Sequence, residues 1–342
     1  MSESGDDGNA ILNVGVDLGT SRSSVSASNG ERHVIRSYVG WPADMVARKV
    51  LQRDVLIGED ALENRIMLDL HRPLERGLIK EGSEKDAEAV RELLAHLISL
   101  VNHDDARVRA VVGVPAEALR VNRQQLRTAM SGLIEQLMIV SEPFAVAYGL
   151  EALLHALVID IGAGTTDFCV MNGRYPTEDD QRTLTQAGDS VDEQLSQLVA
   201  ERYPEANFSS HMIREWKEEH SFVGEPKEPV EVEAPVKGVP TQLDITEELR
   251  QACESLLPPV TETMLDLISR VQPEYQAKVR QNVVLSGGSG LIRGLGAALQ
   301  DGLKEIGGGQ VRVVKEPIFV GSDGGLALAT DAPASDWEKL SA

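Results

Sequence analysis

The sequence has little of what cross-linked, membrane-spanning or polyanion-binding proteins depend on. Among 342 residues there are two cysteines, Cys169 and Cys253, far apart. They are expected to be buried reduced thiols rather than a disulfide framework. No window approaches about eighteen consecutive apolar residues, so no transmembrane helix is expected. Basic residues are the minority, 33 Lys and Arg against 54 Asp and Glu, for a net charge of −21. Such a surface repels nucleic-acid phosphates and anionic headgroups. The seven histidines form no HxxxH or HExxH spacing, so no zinc site is expected. The opening MSESGDDGNA has neither the basic region nor the apolar core of a signal peptide, and a cytosolic location is the default. What is present is a hydrophobic fraction of 42 %, typical of a soluble globular chain. The length favours two domains over one core.

The chain carries the same hairpin twice. Residues 14–30 read VGVDLGTSRSSVSASNG and residues 157–173 read LVIDIGAGTTDFCVMNG. At an offset of 143 (160 − 17), Asp17 meets Asp160, Gly19 meets Gly162, and Asn29-Gly30 meets Asn172-Gly173. Each copy reads as an apolar strand, a tight turn opening at Asp-x-Gly, a second strand and an Asn-Gly turn. A third extended run follows each, over 33–39 and 182–186. One Asp-x-Gly marks only a turn, but two at matched positions argue for two related halves aiming their turns at a shared cleft.

A strand end that uses glycine repeatedly is a place where backbone N–H groups approach a ligand. Thr20, Ser21, Thr165 and Thr166 add hydroxyl donors. Phosphate oxygens are the usual recipient. Asp17 and Asp160 would repel both each other and a phosphate, which a hard cation resolves; Mg²⁺ on a polyphosphate is the common case.

Strands and helices alternate along the chain, which implies an α/β architecture. Residues 84–101 read as a helix capped by Ser83, with Val90, Leu93, Leu94, Leu97, Ile98 and Val101 on one face. The strand Arg107–Val114 precedes a helix started by Pro115. A short strand over 137–140 enters a helix over 144–154 through Ser141-Glu142-Pro143. Glu142 reads either as a residue favouring a helix N-terminus or, between two phosphate turns, as a group that orients or deprotonates a water. Helices are expected over 191–202 and 211–219, with an exposed Val-Glu-Val hairpin within 221–243. The helical run 246–271 should break at Pro258-Pro259. The strand 281–285 runs into Ser286-Gly287-Gly288-Ser289-Gly290, expected to open a helix at Leu291. Gly321 to Gly325 should precede a short helix over 326–330, and the last ten residues read as mobile.

Five stretches thus stand in fixed order, 17–21, 142–149, 160–167, 286–295 and 321–325. That order resembles the actin, sugar kinase and DnaK-type chaperone ATPase superfamily over roughly residues 11–331. VSEPFAVAYGL, VIDIGAGTTDFCV, AGDSVDEQL, KEEHSFVG and QPEYQAKVRQNVVLSGG are similar to bacterial actins of the MreB type, and in phrasing to their magnetosome-filament branch. The resemblance implies that Asp17 and Asp160 face a metal through water. It puts Gly19, Thr20 and Ser21, and Gly162, Gly164, Thr165 and Thr166, on the phosphates. Glu142 would position the hydrolytic water. Lys217 and Glu218 would contact adenine and ribose, Gly287, Gly288 and Ser289 would form the adenosine loop with Arg293 nearby, and Asp192 would border the ribose. Two departures stand out. The acidic N-terminus replaces the apolar anchor of many MreB proteins, and Arg22 is larger than the small polar residues usual in the first turn.

The implied fold is α/β and actin-like, two related lobes with a nucleotide cleft between them. Domain I would take 1–149, with a subdomain at about 33–76 and residues 322–342 returning to it. Domain II would take 150–321, with a subdomain at about 188–244. The implied function is a cytoplasmic, cytoskeletal ATPase using ATP and Mg²⁺. It would polymerise with Mg-ATP, disassemble after hydrolysis, and organise or position magnetosomes. Its partners would be its own copies and magnetosome-associated proteins, with no nucleic acid and no direct membrane anchor. A small-molecule kinase of the same fold needs a second carboxylate as substrate base, and none is evident beside Glu142. A chaperone-type ATPase needs a peptide-binding domain, for which the residues after 331 leave no room. A non-polymerising ATPase or plasmid-segregation relative stays open, because filament contacts have no motif.

Overall fold

The computed structural model describes residues 11–79, 84–103 and 106–341. Ser83 and the first ten residues, both used in the sequence reading, lie outside them. The chain divides into two units, Met1–Glu151 with Ile318–Ala342, and Ala152–Pro317.

The first unit starts as an antiparallel meander, β1 (Ile11–Leu18), β2 (Arg22–Ala27) and β3 (Arg32–Arg36). Val14, Val16 and Leu18 alternate along β1 and are wholly buried. A small subdomain follows: β4 (Val39–Pro42), α1 (Met45–Leu51), β5 (Leu56–Ile57), α2 (Glu59–Glu63) and β6 (Leu68–His71). Its strands pair in the order β5-β4-β6 around a core of Tyr38, Leu56, Ala61 and Leu68. Asp44 caps α1, its Oδ1 accepting from the N–H groups of Val46 and Ala47 at 2.8 Å. The short pair β7 (Leu74–Glu75) and β8 (Leu78–Ile79) leads to α3 (Glu84–Ser99), whose face of Val90, Leu93, Leu94, Leu97 and Ile98 is buried as its period requires. Then come β9 (Arg107–Val114), α4 (Ala116–Val121), α5 (Arg123–Met130), β10 (Gln136–Ser141) and α6 (Glu142–Gly149). β9 and β10 add parallel strands, giving the order β10-β9-β1-β2-β3. The helix expected over 144–154 ends at Gly149. Glu151 has φ 54°, and Leu154 already begins a strand.

The second unit repeats the plan. β11 (Leu154–Ile161), β12 (Thr166–Asn172) and β13 (Gln181–Leu184) form its meander. There follow α7 (Gly188–Arg202), α8 (Ser210–His220), the hairpin β14 (Glu231–Val236) and β15 (Val239–Asp244), and the helices α9 (Thr246–Glu254), α10 (Leu257–Arg270) and α11 (Pro273–Arg280). β16 (Val283–Ser286), α12 (Leu295–Gly302) and β17 (Val311–Val313) complete it. The order β13-β12-β11-β16-β17 matches β3-β2-β1-β9-β10 strand for strand: two antiparallel pairings, then two parallel. The duplicated hairpins are therefore the first three strands of two equivalent sheets. Asn-Gly turns close both second strands, with Gly30 at φ 92° and Gly173 at φ 76°.

Four local expectations are corrected. The break in the run 246–271 falls at Ser255 and Leu256. Pro258 and Pro259 sit in the first turn of α10, where a missing N–H leaves no helical bond unmade. The glycine cluster after β16 opens only a 3₁₀ turn, Ser289–Leu291, and α12 waits until Leu295, after Gly294 at φ 85°. Gly321, Gly324 and Gly325 do not precede a helix but lie inside α13 (Val320–Asp331). A Cβ on Gly324 would stand 1.9 Å from the Ala145 carbonyl of α6, and one on Gly325 would stand 3.1 Å from Gly15 Cα of β1. These glycines let a helix lie directly on backbone. The tail expected to be mobile forms α14 (Ala334–Ser341), held by the buried Trp337.

Both cysteines are buried and unpaired with each other, and burial pushes the Cys253 thiol up to about 11. Among the described residues no helix is long and apolar enough to cross a membrane.

Candidate functional site

The first turn joins β1 to β2. Asp17 ends β1 in register with Ser24 on β2 and with Gly113 on β9. Its carboxyl is surrounded by protein although part of its surface stays open, and burial pushes its pKa up to about 7. Gly19 has no room for a side chain, since a Cβ there would lie 2.4 Å from the Arg22 carbonyl. The carbonyls of the turn are all engaged. Gly19 O accepts from Ser37 Oγ at 2.7 Å, Thr20 O from Arg72 Nε at 2.8 Å, and Ser21 O from the Ser37 N–H at 3.0 Å. Thr20 is buried and Ser21 half-buried; Arg22 is exposed and opens β2 opposite Arg36. Glu142 is the first residue of α6. Its Cγ lies 3.8 Å from the Cβ position of Gly113, the residue in register with Asp17. Both carboxylates therefore stand at the same end of this sheet.

The second turn is built alike. Asp160 lies in register with Asp167 on β12 and Ser286 on β16. Gly162 O accepts from the Gly188 N–H at 3.1 Å and from Ser289 Oγ at 2.9 Å, while Ala163 O accepts from the Asp189 N–H at 2.7 Å. Gly164, Thr165 and Thr166 are buried, and the Thr166 hydroxyl donates to Gln186 O at 2.7 Å. Asp167, one residue further, is buried and accepts from Thr183 Oγ1 at 2.6 Å. Gly287 meets the turn from β16. Its φ of 83° and the 2.4 Å from its Cβ position to Asp160 Oδ1 both require glycine.

The remaining candidates gather around the start of α7. Lys217 is buried on α8; its Nζ lies 2.7 Å from Asp192 Oδ1 and donates to Gly188 O at 2.8 Å. Burial raises the Asp192 pKa, and the Lys217 ammonium opposes that rise. Arg214 reaches Asp192 at 3.3 Å and Asp189 at 3.6 Å. Ser289 packs against Gly188, leaving 2.5 Å for any Cβ there. Gly288 is exposed, with nothing within 4 Å of its Cβ position. Arg293 is exposed, donates to His220 O at 2.8 Å and lies 5.9 Å from the Phe222 ring, closing the end of α8. Glu218 is exposed on α8.

The first turn, Glu142 and the helix of Gly321 thus share one unit; the second turn, the glycine loop, Asp192 and Lys217 share the other. The sequence reading missed Ser37, Arg72 and the approach of Gly321 to Asp17. Only Gly321 left a signal, as part of a glycine cluster without a turn to explain it.

A family model for the MreB/Mbl protein matches residues 11–332. Actin-like protein MamK of Paramagnetospirillum magneticum AMB-1 is 40 % identical over 341 residues, spanning 99 % of this chain and 98 % of that protein. Actin-like protein MamK of Magnetospirillum gryphiswaldense is also 40 % identical over 341 residues, 99 % and 95 % of the two chains. Among solved structures, a MamK double helical filament is 41 % identical with a TM-score of 0.92, covering 95 % of this chain and all of that one. A non-polymerising MamK mutant bound to AMPPNP is 40 % identical with a TM-score of 0.73, over 94 % and 100 % of the chains.

Proposed function

Because this chain belongs to the MreB/Mbl family of actin-like proteins, we propose that it is an ATPase that assembles into filaments with Mg-ATP and disassembles after hydrolysis, organising magnetosomes in the cell. The observation that carries this reading is the match to the MamK double helical filament, over nearly all of both chains. The AMPPNP bound by a MamK mutant supports a nucleotide ligand.

The residues fit that ligand. In a trans peptide the C=O and the following N–H point in opposite directions. Engaged carbonyls at Gly19 and Thr20 therefore turn the Thr20 and Ser21 N–H groups the other way, as those at Gly162 and Ala163 turn the Ala163 and Gly164 N–H groups. Each pair of N–H donors would offer an anion a concave site, to which Thr165 would add a hydroxyl, while Thr166 braces the turn through Gln186. A carboxyl raised to about 7 at Asp17 suits a group that awaits a cation. Asp17, with Asp160, would hold Mg²⁺ through water; the ion supplies neutralising charge to the phosphates. Gly287, Gly288, Ser289 and Arg293, with Asp192, Lys217 and Glu218, flank the adenosine side. Glu142 holds the attacking water.

Negative-stain microscopy of the purified protein tests the reading. Filaments that form with Mg-ATP and not without nucleotide support it. Dispersed particles with Mg-ATP at high protein concentration reject it.

A further inference from the structure

The two covalent connections of the small subdomain both touch the first phosphate turn. Ser37 follows β3, where the chain enters the subdomain; Arg72 is the residue after β6, where the chain leaves it. Ser37 engages the turn twice, by its hydroxyl to Gly19 O and by its N–H to Ser21 O. Ser23 Oγ, 2.8 Å from Ser37 Oγ, holds that hydroxyl in place in the buried interior. Arg72 Nε donates to Thr20 O, the carbonyl between those two. Three consecutive carbonyls are thus fixed by the entry and exit of one subdomain.

The exit is itself clamped. His71 Nδ1 lies 2.8 Å from Asp86 Oδ1 on α3, and its ring meets Trp41 of β4 edge-on at 5.4 Å between centroids. A shift of the small sheet therefore reaches Arg72 through one peptide bond. Because a trans peptide is rigid, moving Thr20 O also re-aims the Ser21 N–H. A guanidinium donor to a carbonyl is a charge-assisted bond, stronger than the neutral bonds around it.

We infer that Arg72 is a positioning residue: through Thr20 it sets the aim of the first turn's N–H donors and couples phosphate occupancy to the subdomain of residues 39–71. This rests on the nucleotide reading above. The coupling runs both ways, since a ligand that favours one arrangement of the turn must favour the matching arrangement of the subdomain.

The full chain, as wild type, Arg72→Met and Arg72→Lys, provides the test. Calorimetry measures Mg-AMPPNP affinity, and hydrogen exchange follows amides in residues 39–71 with and without the nucleotide. Wild type is expected to bind, with slowed exchange across β4 and β6. Arg72→Met should lose about tenfold or more in affinity and lose the exchange response in 39–71, while its melting temperature without nucleotide stays near wild type. Arg72→Lys keeps a charged donor and should recover much of both. If Arg72→Met fails to fold, Ser37→Ala, which deletes only the hydroxyl on Gly19 O, must show the same loss in milder form. A wild type that binds no Mg-nucleotide overturns the functional reading and the coupling together. A wild type that binds, beside variants with equal affinity and an intact exchange response, overturns the coupling alone.

Discussion

Gly321 lies against Asp17: a Cβ on Gly321 would stand 2.7 Å from Asp17 Oδ2 and 2.9 Å from its Cγ. The helix α13 therefore walls one side of the carboxylate, and its glycine is what permits the approach. Gly321→Ala should displace the Asp17 side chain and leave the turn backbone in place. Titration of the variant with Mg-ATP and with ATP in EDTA is expected to show a loss of at least about tenfold in the first and a smaller change in the second. An equal loss in both would place the damage in the turn rather than at the metal carboxylate.

The raised pKa of Asp17 makes stability depend on pH. A carboxyl whose folded pKa lies above its unfolded value favours the fold fully below the unfolded value, 3.8, and that contribution is lost as pH rises through about 7. Asp17→Asn removes the titrating group. In EDTA, the unfolding free energy of the variant minus that of wild type should widen from about pH 4 to about pH 7 and stay level above it. Urea denaturation across that range measures it, and a constant difference would rule out the buried-carboxyl account.

Glu142 should be needed for hydrolysis and not for binding. Its place at the first residue of α6, beside the position in register with Asp17, puts it near the first turn without making it part of the turn. Glu142→Ala is expected to bind ATP, to assemble, and to release phosphate about 10²–10⁴ times more slowly. Light scattering and phosphate release on one sample decide this. A wild-type rate of hydrolysis would reduce Glu142 to a helix-start residue.

Trp337 should anchor the C-terminal helix. It is buried, and α14 lies against β10, the edge strand of the first sheet. Trp337→Ala is expected to cost about 3 kcal/mol in urea denaturation. No measurable loss would mean that α14 contributes nothing to the fold.

The sequence alone determined the two meanders, the tight turns after Asp17 and Asp160, and a hairpin within 221–243, found as Glu231–Val236 with Val239–Asp244. These features depend on neighbouring residues: alternating burial, Asn-Gly turns, and glycine where backbone must come close. Such demands leave a mark within a few positions, and at Asp17 and Asp160 the mark was written twice. What only the tertiary structure decided is which distant groups complete each turn. Arg72 reaches Thr20 across 52 residues, and nothing local to either distinguishes that pair from any surface arginine and any loop carbonyl. Lys217 entered the sequence reading only through the resemblance, and nothing near it in the chain announces that its ammonium takes Asp192 and Gly188 O as partners. The glycines of 321–325 were expected to precede the helix rather than lie in it, because a run of glycine disfavours a helix. Packing against β1 and α6 outweighs that local preference, since only a helix without side chains on that face can lie so close to another backbone. Local preference is encoded residue by residue, whereas the partners of a turn are chosen by contacts that exist only once the chain has closed on itself.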